Sequence, residues 1–233
     1  RRGEAYATRG YSFSFDMLGE AAHTAADAEK YFADYARAID AIASGADKPR
    51  PADNPGISVK LSALHPRYEP AKRDRVLKEL GARARDLALT AKAANIGFNI
   101  DAEESWRLDL SLDLIENLMR DPALGKWEGF GVVVQAYQRR ATFIIDWLAS
   151  LAHDCDRRIM VRLVKGAYWD GEIKRAQVIG LSSYPVFTRK VLTDISYQAC
   201  ARRLFANMDV FYPQFATHNA LTASLVREMA GEH

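Results

Sequence analysis

Short apolar, β-branched runs alternate with longer helical stretches along this chain, and that strict order restricts the fold to a parallel α/β architecture. The runs are YSFSFDML (11–18), GISVKLSAL (56–64), IGFNIDAE (96–103), FGVVVQAY (130–137), RIMVRLVKGAY (158–168) and VFYPQFATHN (210–219). Between them lie segments such as EAAHTAADAEKYFADYARAIDAIAS (20–44) and RVLKELGARARDLALTAKAAN (75–95), with apolar residues recurring three and four apart. Gly56, Gly97 and Gly131 stand near the start of three runs, where helix-to-strand loops call for glycine. Pro49, Pro51 and Pro55 mark 45–56 as a proline-rich loop inside one domain, 1–233.

Each run gives out onto polar or ionisable residues: Asp16, Lys60, Asp101, Gln135, Arg162 with Lys165, then Gln214 with His218. Solvated loops alone make strand ends polar. Six in succession with mixed charge, however, favour a shared site, because the C-terminal ends of parallel strands lie on one edge and ligands bind there. A doubly wound dinucleotide fold would show G-x-G-x-x-G after a strand, and the sequence has none. The expectation is therefore a distorted (β/α)8 barrel. A complete barrel takes about 250 residues; about six of its eight units are countable in these 233.

Composition narrows function further. A formal net charge of +2, with Lys and Arg mixed among acids, offers no nucleic-acid-binding face. No apolar run approaches the roughly 20 residues that cross a bilayer, and RRGEAYATRGYSF lacks the apolar core of a secretory signal. With only Cys155 and Cys200, and no C-x-x-C pair, a reducing cytoplasm is the simplest setting.

VRLVKGAYWD (161–170) is the densest chemical stretch. Alternation places Arg162 and Val164 on one face and Leu163 on the other. Lys165, Gly166 and Ala167 then let backbone approach something bulky, and two cations beside a small-residue turn suit a phosphate or pyrophosphate. Tyr168 and Trp169 offer an aromatic wall. A surface salt-bridge cluster over core aromatics is the plainer alternative. Asp101 directly follows Phe98-Asn99-Ile100, and a carboxylate buried alone there would cost several kcal/mol, so a cationic partner is expected, with Lys60 the natural candidate. Glu103 and Glu104 also read simply as acids favouring a helix N-terminus. Lys60 itself reads as a Schiff-base nucleophile or as a charged grip on an anionic substrate group, and its acidic surroundings favour the second. His218 is open to several roles: metal ligand, acid–base group, hydrogen-bond donor or structural residue. Neither H-E-x-x-H nor G-x-S-x-G occurs.

Seven blocks together resemble the proline dehydrogenase domain of the bacterial bifunctional proline-utilization flavoenzymes. They are Phe15-Asp16-Met17-Leu18-Gly19-Glu20-Ala21-Ala22, SVKLSALHPRY (58–68), NIDAEES (99–105), VQAYQ (134–138), VRLVKGAYWD (161–170), YPVFTRK (184–190) and YPQFATHNA (212–220), in family order. The resemblance implies a distorted eight-stranded barrel holding FAD non-covalently. It implies oxidation of L-proline to Δ1-pyrroline-5-carboxylate, with electrons passed to a membrane quinone. Flavin-contacting positions carry over to Asp101, Ala102, Gln135, Arg162, Val164, Lys165, Gly166, Ala167, Trp169, Thr188, Thr217, His218 and Asn219. Lys60 matches the lysine that grips the proline carboxylate, Tyr168 a residue lining the substrate ring, and Asp16 and Glu20 the first barrel block. Arg162 matches a flavin-tuning position, at either the pyrophosphate or the reactive edge.

The family's last two barrel strands, and a final helix carrying paired arginines of the carboxylate clamp, have no counterpart in this sequence. The expectation is that a complementing segment supplies them. Neither the family's DNA-binding module nor its aldehyde dehydrogenase domain is matched, so no nucleic-acid partner is expected. Peripheral docking at the inner membrane follows from the quinone. The rivals are an inactive FAD-binding fragment and a lysine Schiff-base aldolase barrel.

Overall fold

The computed structural model describes residue 6, residues 8–17 and residues 19–231. Leu18 of the first run, and Glu232 and His233, lie outside the described residues. Six parallel strands alternate with helices, one strand for each apolar run. The chain divides into two compact units, Arg1–Asp101 with Leu110–Gly131, and Ala102–Asp109 with Val132–His233.

In the first unit, β1 (Ser14–Asp16), β2 (Gly56–Val59) and β3 (Gly97–Ile100) pair in parallel, with Asp16 opposite Ser58 and Val59 opposite Ile100. β2 and β3 are buried throughout, as parallel strands covered on both faces are. Helix α1 (Ala25–Ala43) begins five residues later than the sequence pattern suggests, because Thr24 and Asp27 form a reciprocal cap. The Thr24 hydroxyl accepts the Asp27 N–H at 3.1 Å, and the Asp27 carboxylate accepts the Thr24 N–H at 2.8 Å. The second run splits: its strand stops at Val59, and Leu61–Leu64 forms a one-turn helix, α2, entirely buried. Helix α3 (Arg73–Ala93) seals the unit with Val76, Leu80, Ala84, Leu87, Ala88 and Ala91, one apolar stripe at helical spacing.

The glycines at the strand starts serve a different purpose from the one expected. Left-handed backbone at the helix-to-strand corners belongs to Asn95 (φ 53°) and Asp156 (φ 45°) instead. Gly56 faces Gly97 across the ladder, and a Cβ on Gly56 would lie 3.0 Å from the Gly97 carbonyl oxygen, so close strand approach is what requires it. The proline-rich loop is well tied down. Asn54 donates to the Lys48 and Asn95 carbonyls at 2.9 Å each, and Asn95 donates to the Lys48 and Pro49 carbonyls at 2.9 and 3.1 Å.

Helix α4 (Leu108–Met119) starts in the second unit and runs through the first, and β4 (Phe130–Gln135) runs from the first into the second. The second unit adds α5 (Ala141–Asp154), β5 (Ile159–Val164), α6 (Trp169–Val178), α7 (Lys190–Phe205), β6 (Phe211–Phe215) and α8 (Ala220–Gly231). β5 and β6 pair in parallel with Arg162 opposite Gln214. Burial along β5 alternates at its end as expected, with Leu163 buried and Arg162 and Val164 only half-buried.

Candidate functional site

In the first unit the ends of three neighbouring strands place one cation between two carboxylates. Asp16 closes β1, Lys60 follows β2 and Asp101 follows β3, with the Asp101 N–H donating to the Val59 carbonyl at 3.0 Å. Lys60 Nζ donates to Asp101 Oδ2 at 3.0 Å and to Asp16 Oδ1 and Oδ2 at 3.0 and 3.2 Å. The partner expected for Asp101 is therefore the one it has. Both the Lys60 and Asp101 side chains are 15% exposed, while Asp16 lies open at 57%. Burial acts to depress the Lys60 pKa, but Asp101 and then Asp16 outweigh it and hold the ammonium above its ordinary range. Three N–H bonds radiate from Nζ, and all three contacts described go to these two carboxylates. The buried Tyr35 hydroxyl accepts the Lys60 backbone N–H at 3.2 Å, and burial pushes that phenol up to about 12. Glu20 is exposed.

The second unit assembles hydrogen-bonded backbone instead. Gln135, buried at the end of β4, donates from Nε2 to the Glu103 carbonyl at 2.9 Å and accepts the Ala167 N–H on Oε1 at 3.0 Å. Gln135 thus joins the segment after β3 to the turn after β5. That turn carries Gly166 at φ 144°, and a Cβ there would sit 2.4 Å from the Tyr137 ring. Glycine is required on both counts. Gly166 and Ala167 are exposed, Tyr168 is half-buried, and Trp169 is 42% exposed with its indole N–H donating to the Phe187 carbonyl at 3.0 Å. Phe187 and its neighbour Thr188, which is exposed, belong to a segment laid against 137–139 by a Gln138–Val186 bridge.

Arg162 donates to Gln214 Oε1 at 3.2 Å. Lys165, the second cation of this stretch, has an acidic partner. Its ammonium is taken up by Asp194 at 2.5 Å, and Asp194 also holds Lys190 at 2.7 Å. Hydrogen bonds from Lys165 and then Lys190 keep the Asp194 carboxyl below the usual carboxylate range. Ala102 and Val164 are half-buried. Asn219 caps α8, its side-chain oxygen accepting the Thr222 N–H at 2.9 Å, and its own N–H donates to the Thr217 hydroxyl at 3.0 Å. His218 is exposed between them, and among the described residues no group of three or more His, Cys, Asp or Glu gathers as metal ligands.

Several contributors escaped the sequence pattern. Glu103 is buried and pairs with Arg107 Nη1 at 3.2 Å, and Glu104 meets the same atom at 3.3 Å, so both acids anchor an arginine as well as opening a helix. Ser105 and Glu172 bond across 67 residues of sequence. Tyr35, Tyr137 and Asp194 likewise act through neighbours far away in the chain, which leaves no local signature.

The geometry defines a parallel α/β chain whose strand ends carry a clamped ammonium and an open, backbone-lined turn. A family profile described as proline dehydrogenase matches residues 1–233. The bifunctional protein PutA of Escherichia coli (strain K12) is 55% identical over 225 residues, covering 97% of this chain and 17% of that protein. PutA of Rhizobium meliloti is 53% identical over 240 residues, covering 100% of this chain and 18% of that protein. A solved variant of Bradyrhizobium japonicum proline utilization A superposes with a TM-score of 0.92 at 56% identity, over 96% of this chain and 24% of that one. Proline utilization A from Bdellovibrio bacteriovorus, inactivated by N-propargylglycine, gives a TM-score of 0.92 at 28% identity, over 98% of this chain and 25% of that one. The chain belongs to the proline dehydrogenase family of oxidoreductases. It spans less than a fifth of the length of the curated relatives it matches.

The family implies a flavin, and the residues present fit one. The Gly166–Ala167 backbone is open, its glycine conformation leaves no room for a side chain, and Arg162 stands half-buried on the same strand. Among the described residues no helix is long and apolar enough to cross a membrane.

Proposed function

We propose that this chain supplies flavin- and substrate-binding machinery for the oxidation of L-proline to Δ1-pyrroline-5-carboxylate, with FAD as the flavin and a quinone, met by peripheral membrane contact, as the final acceptor. The observation that carries the reading is the Lys60 triad. Its ammonium is fixed in place by two carboxylates and kept charged at the end of β2, a cation suited to the carboxylate of an amino acid.

Lys60 binds and orients that carboxylate; Asp101 and Asp16 hold the ammonium where it is needed, so its position is set before substrate arrives. Tyr168, half-buried at the start of α6, supplies apolar surface for the ring. Arg162 and the Gly166–Ala167 backbone cradle the flavin, with Ala102, Val164, Lys165, Trp169, Thr188, Thr217, His218 and Asn219 as further contacts. Gln135 sets the turn through Ala167, and Asp194 sets Lys165. When bound, the flavin accepts hydride from the ring carbon beside nitrogen. No protein nucleophile is needed. The Schiff-base alternative is disfavoured at Lys60, because Asp101 and Asp16 hold that ammonium above its ordinary range.

Lys60→Met is expected to raise the KM for L-proline at least tenfold, about the worth of one charge-assisted hydrogen bond, while kcat changes less. Steady-state kinetics with an artificial electron acceptor measure this. An unchanged KM removes Lys60 from the substrate site.

A further inference from the structure

The second unit contains a buried carboxylate that the proposed reaction does not use. Glu172, in the first turns of α6, is 3% exposed, and among the described residues no cationic side chain pairs with it. A buried carboxylate without a cation costs several kcal/mol unless hydrogen bonds compensate. Its two oxygens accept both donors of Ser105, the backbone N–H at 2.5 Å on Oε1 and the hydroxyl at 2.5 Å on Oε2. Its backbone N–H makes the first helical bond of α6 to the Tyr168 carbonyl at 2.9 Å, which places the carboxylate one turn past the segment that ends β5. The Tyr137 ring lies against Gly166, and the Tyr137 N–H donates to the Lys165 carbonyl at 2.7 Å. Burial, with the Glu172 charge next in weight, pushes the Tyr137 hydroxyl above its ordinary range. Gln135 makes a second tie between the same two segments, Glu103 to Ala167.

Two buried side chains from different elements therefore tie Ala102–Arg107 to the chain after β5, Gln135 at Ala167 and Glu172 at the first turn of α6. Gln135 bridges them through neutral hydrogen bonds and Glu172 through charged ones, which are roughly twice as strong. We propose that Glu172 is a positioning residue for the Gly166–Trp169 turn, holding it in its binding geometry by fastening Ser105 to the start of α6. This rests on the flavin reading above, since the turn's function is to receive that group. Glu172 itself touches neither flavin nor substrate.

Backbone hydrogen exchange and FAD titration on the parent chain, Glu172→Ala, Glu172→Gln and Ser105→Ala test it. Glu172→Ala is expected to speed exchange about tenfold or more at both Ser105–Arg107 and Gly166–Trp169, and to raise the Kd for FAD about tenfold. Glu172→Gln keeps an acceptor for the Ser105 amide and recovers most of both effects. Ser105→Ala, which loses only the hydroxyl donor, shows the same pattern more weakly, and it decides the matter if Glu172→Ala does not fold. Exchange that rises at Ser105 and is unchanged at Gly166–Trp169 overturns the proposal, because a purely local contact behaves that way. A parent chain that takes up no FAD overturns the flavin reading instead, and the exchange pattern still decides the role of Glu172.

Discussion

In the first unit the polar strand ends are charged and ion-paired, with Lys60 between Asp16 and Asp101. In the second they are mostly amides and backbone held by hydrogen bonds: Gln135 on Glu103 and Ala167, and Glu172 on Ser105. On the function proposed above, the difference suits what each would receive. A small anionic substrate group is best met by a fixed charge, whereas a large flat cofactor is best met by an open main chain supported from beneath. It also predicts different fragility. A half-exposed ion triad gives way gradually, while a buried layer packed against a glycine has no room to adjust.

The sharpest way to break that contrast is Gly166→Ala. A left-handed φ and a Cβ 2.4 Å from the Tyr137 ring each carry a penalty, and together they are expected to cost about 2–5 kcal/mol. Denaturant unfolding measures it; a loss below about 1 kcal/mol would show that the layer is soft. Lys60→Met, by comparison, is expected to cost about 1–3 kcal/mol, between exposed and buried ion pairs, because Asp16 remains well hydrated. Tyr35→Phe removes the acceptor of the Lys60 backbone N–H and is expected to cost about 1–2 kcal/mol.

Alkaline titration separates the units more finely. Burial pushes the Cys200 thiol up to about 11 and the Tyr197 hydroxyl up to about 12 in the second unit, and Tyr35 up to about 12 in the first. These groups bind their protons more tightly when folded. Their contribution to stability is therefore complete below the ordinary thiol and phenol values of about 8.5 and 10, and is lost as pH rises through the folded ones. Cys200→Ala should flatten the stability profile between about pH 9 and 11, and Tyr35→Phe only above about pH 10. Coincident changes in the two variants would remove the distinction. The smallest effect is expected at Asp194→Asn, at most about 1 kcal/mol for an exposed pair. Asp194 has a depressed pKa, so its contribution is present above the ordinary carboxylate range and disappears as pH falls through the folded value.

Much of this was legible in the sequence because period and order are local signals. Six runs gave six strands, and the isolated position of Asp101 after Phe98-Asn99-Ile100 pointed to Lys60. The misreadings share a cause. The run through Leu64 continues apolar past its strand because a buried helical turn needs the same residues as a buried strand. Glycines near strand starts read as residues that helix-to-strand loops call for, yet Asn95 and Asp156 take the left-handed corners, and Gly56 and Gly97 instead allow two backbones to approach. At Lys165 the cation was legible, but its partner Asp194, a helix away in sequence, was not. Glu172 was invisible for the same reason, since nothing near it in the chain shows that Ser105 lies against it.

The central claim is that this chain holds a flavin that L-proline reduces. The most direct measurement is the visible spectrum of the FAD-loaded protein before and after anaerobic addition of L-proline. Bleaching of the flavin absorbance, saturable in L-proline and shifted to higher concentration in Lys60→Met, is the result predicted here. Flavin that stays oxidised at saturating L-proline, yet is reduced by dithionite, would contradict it.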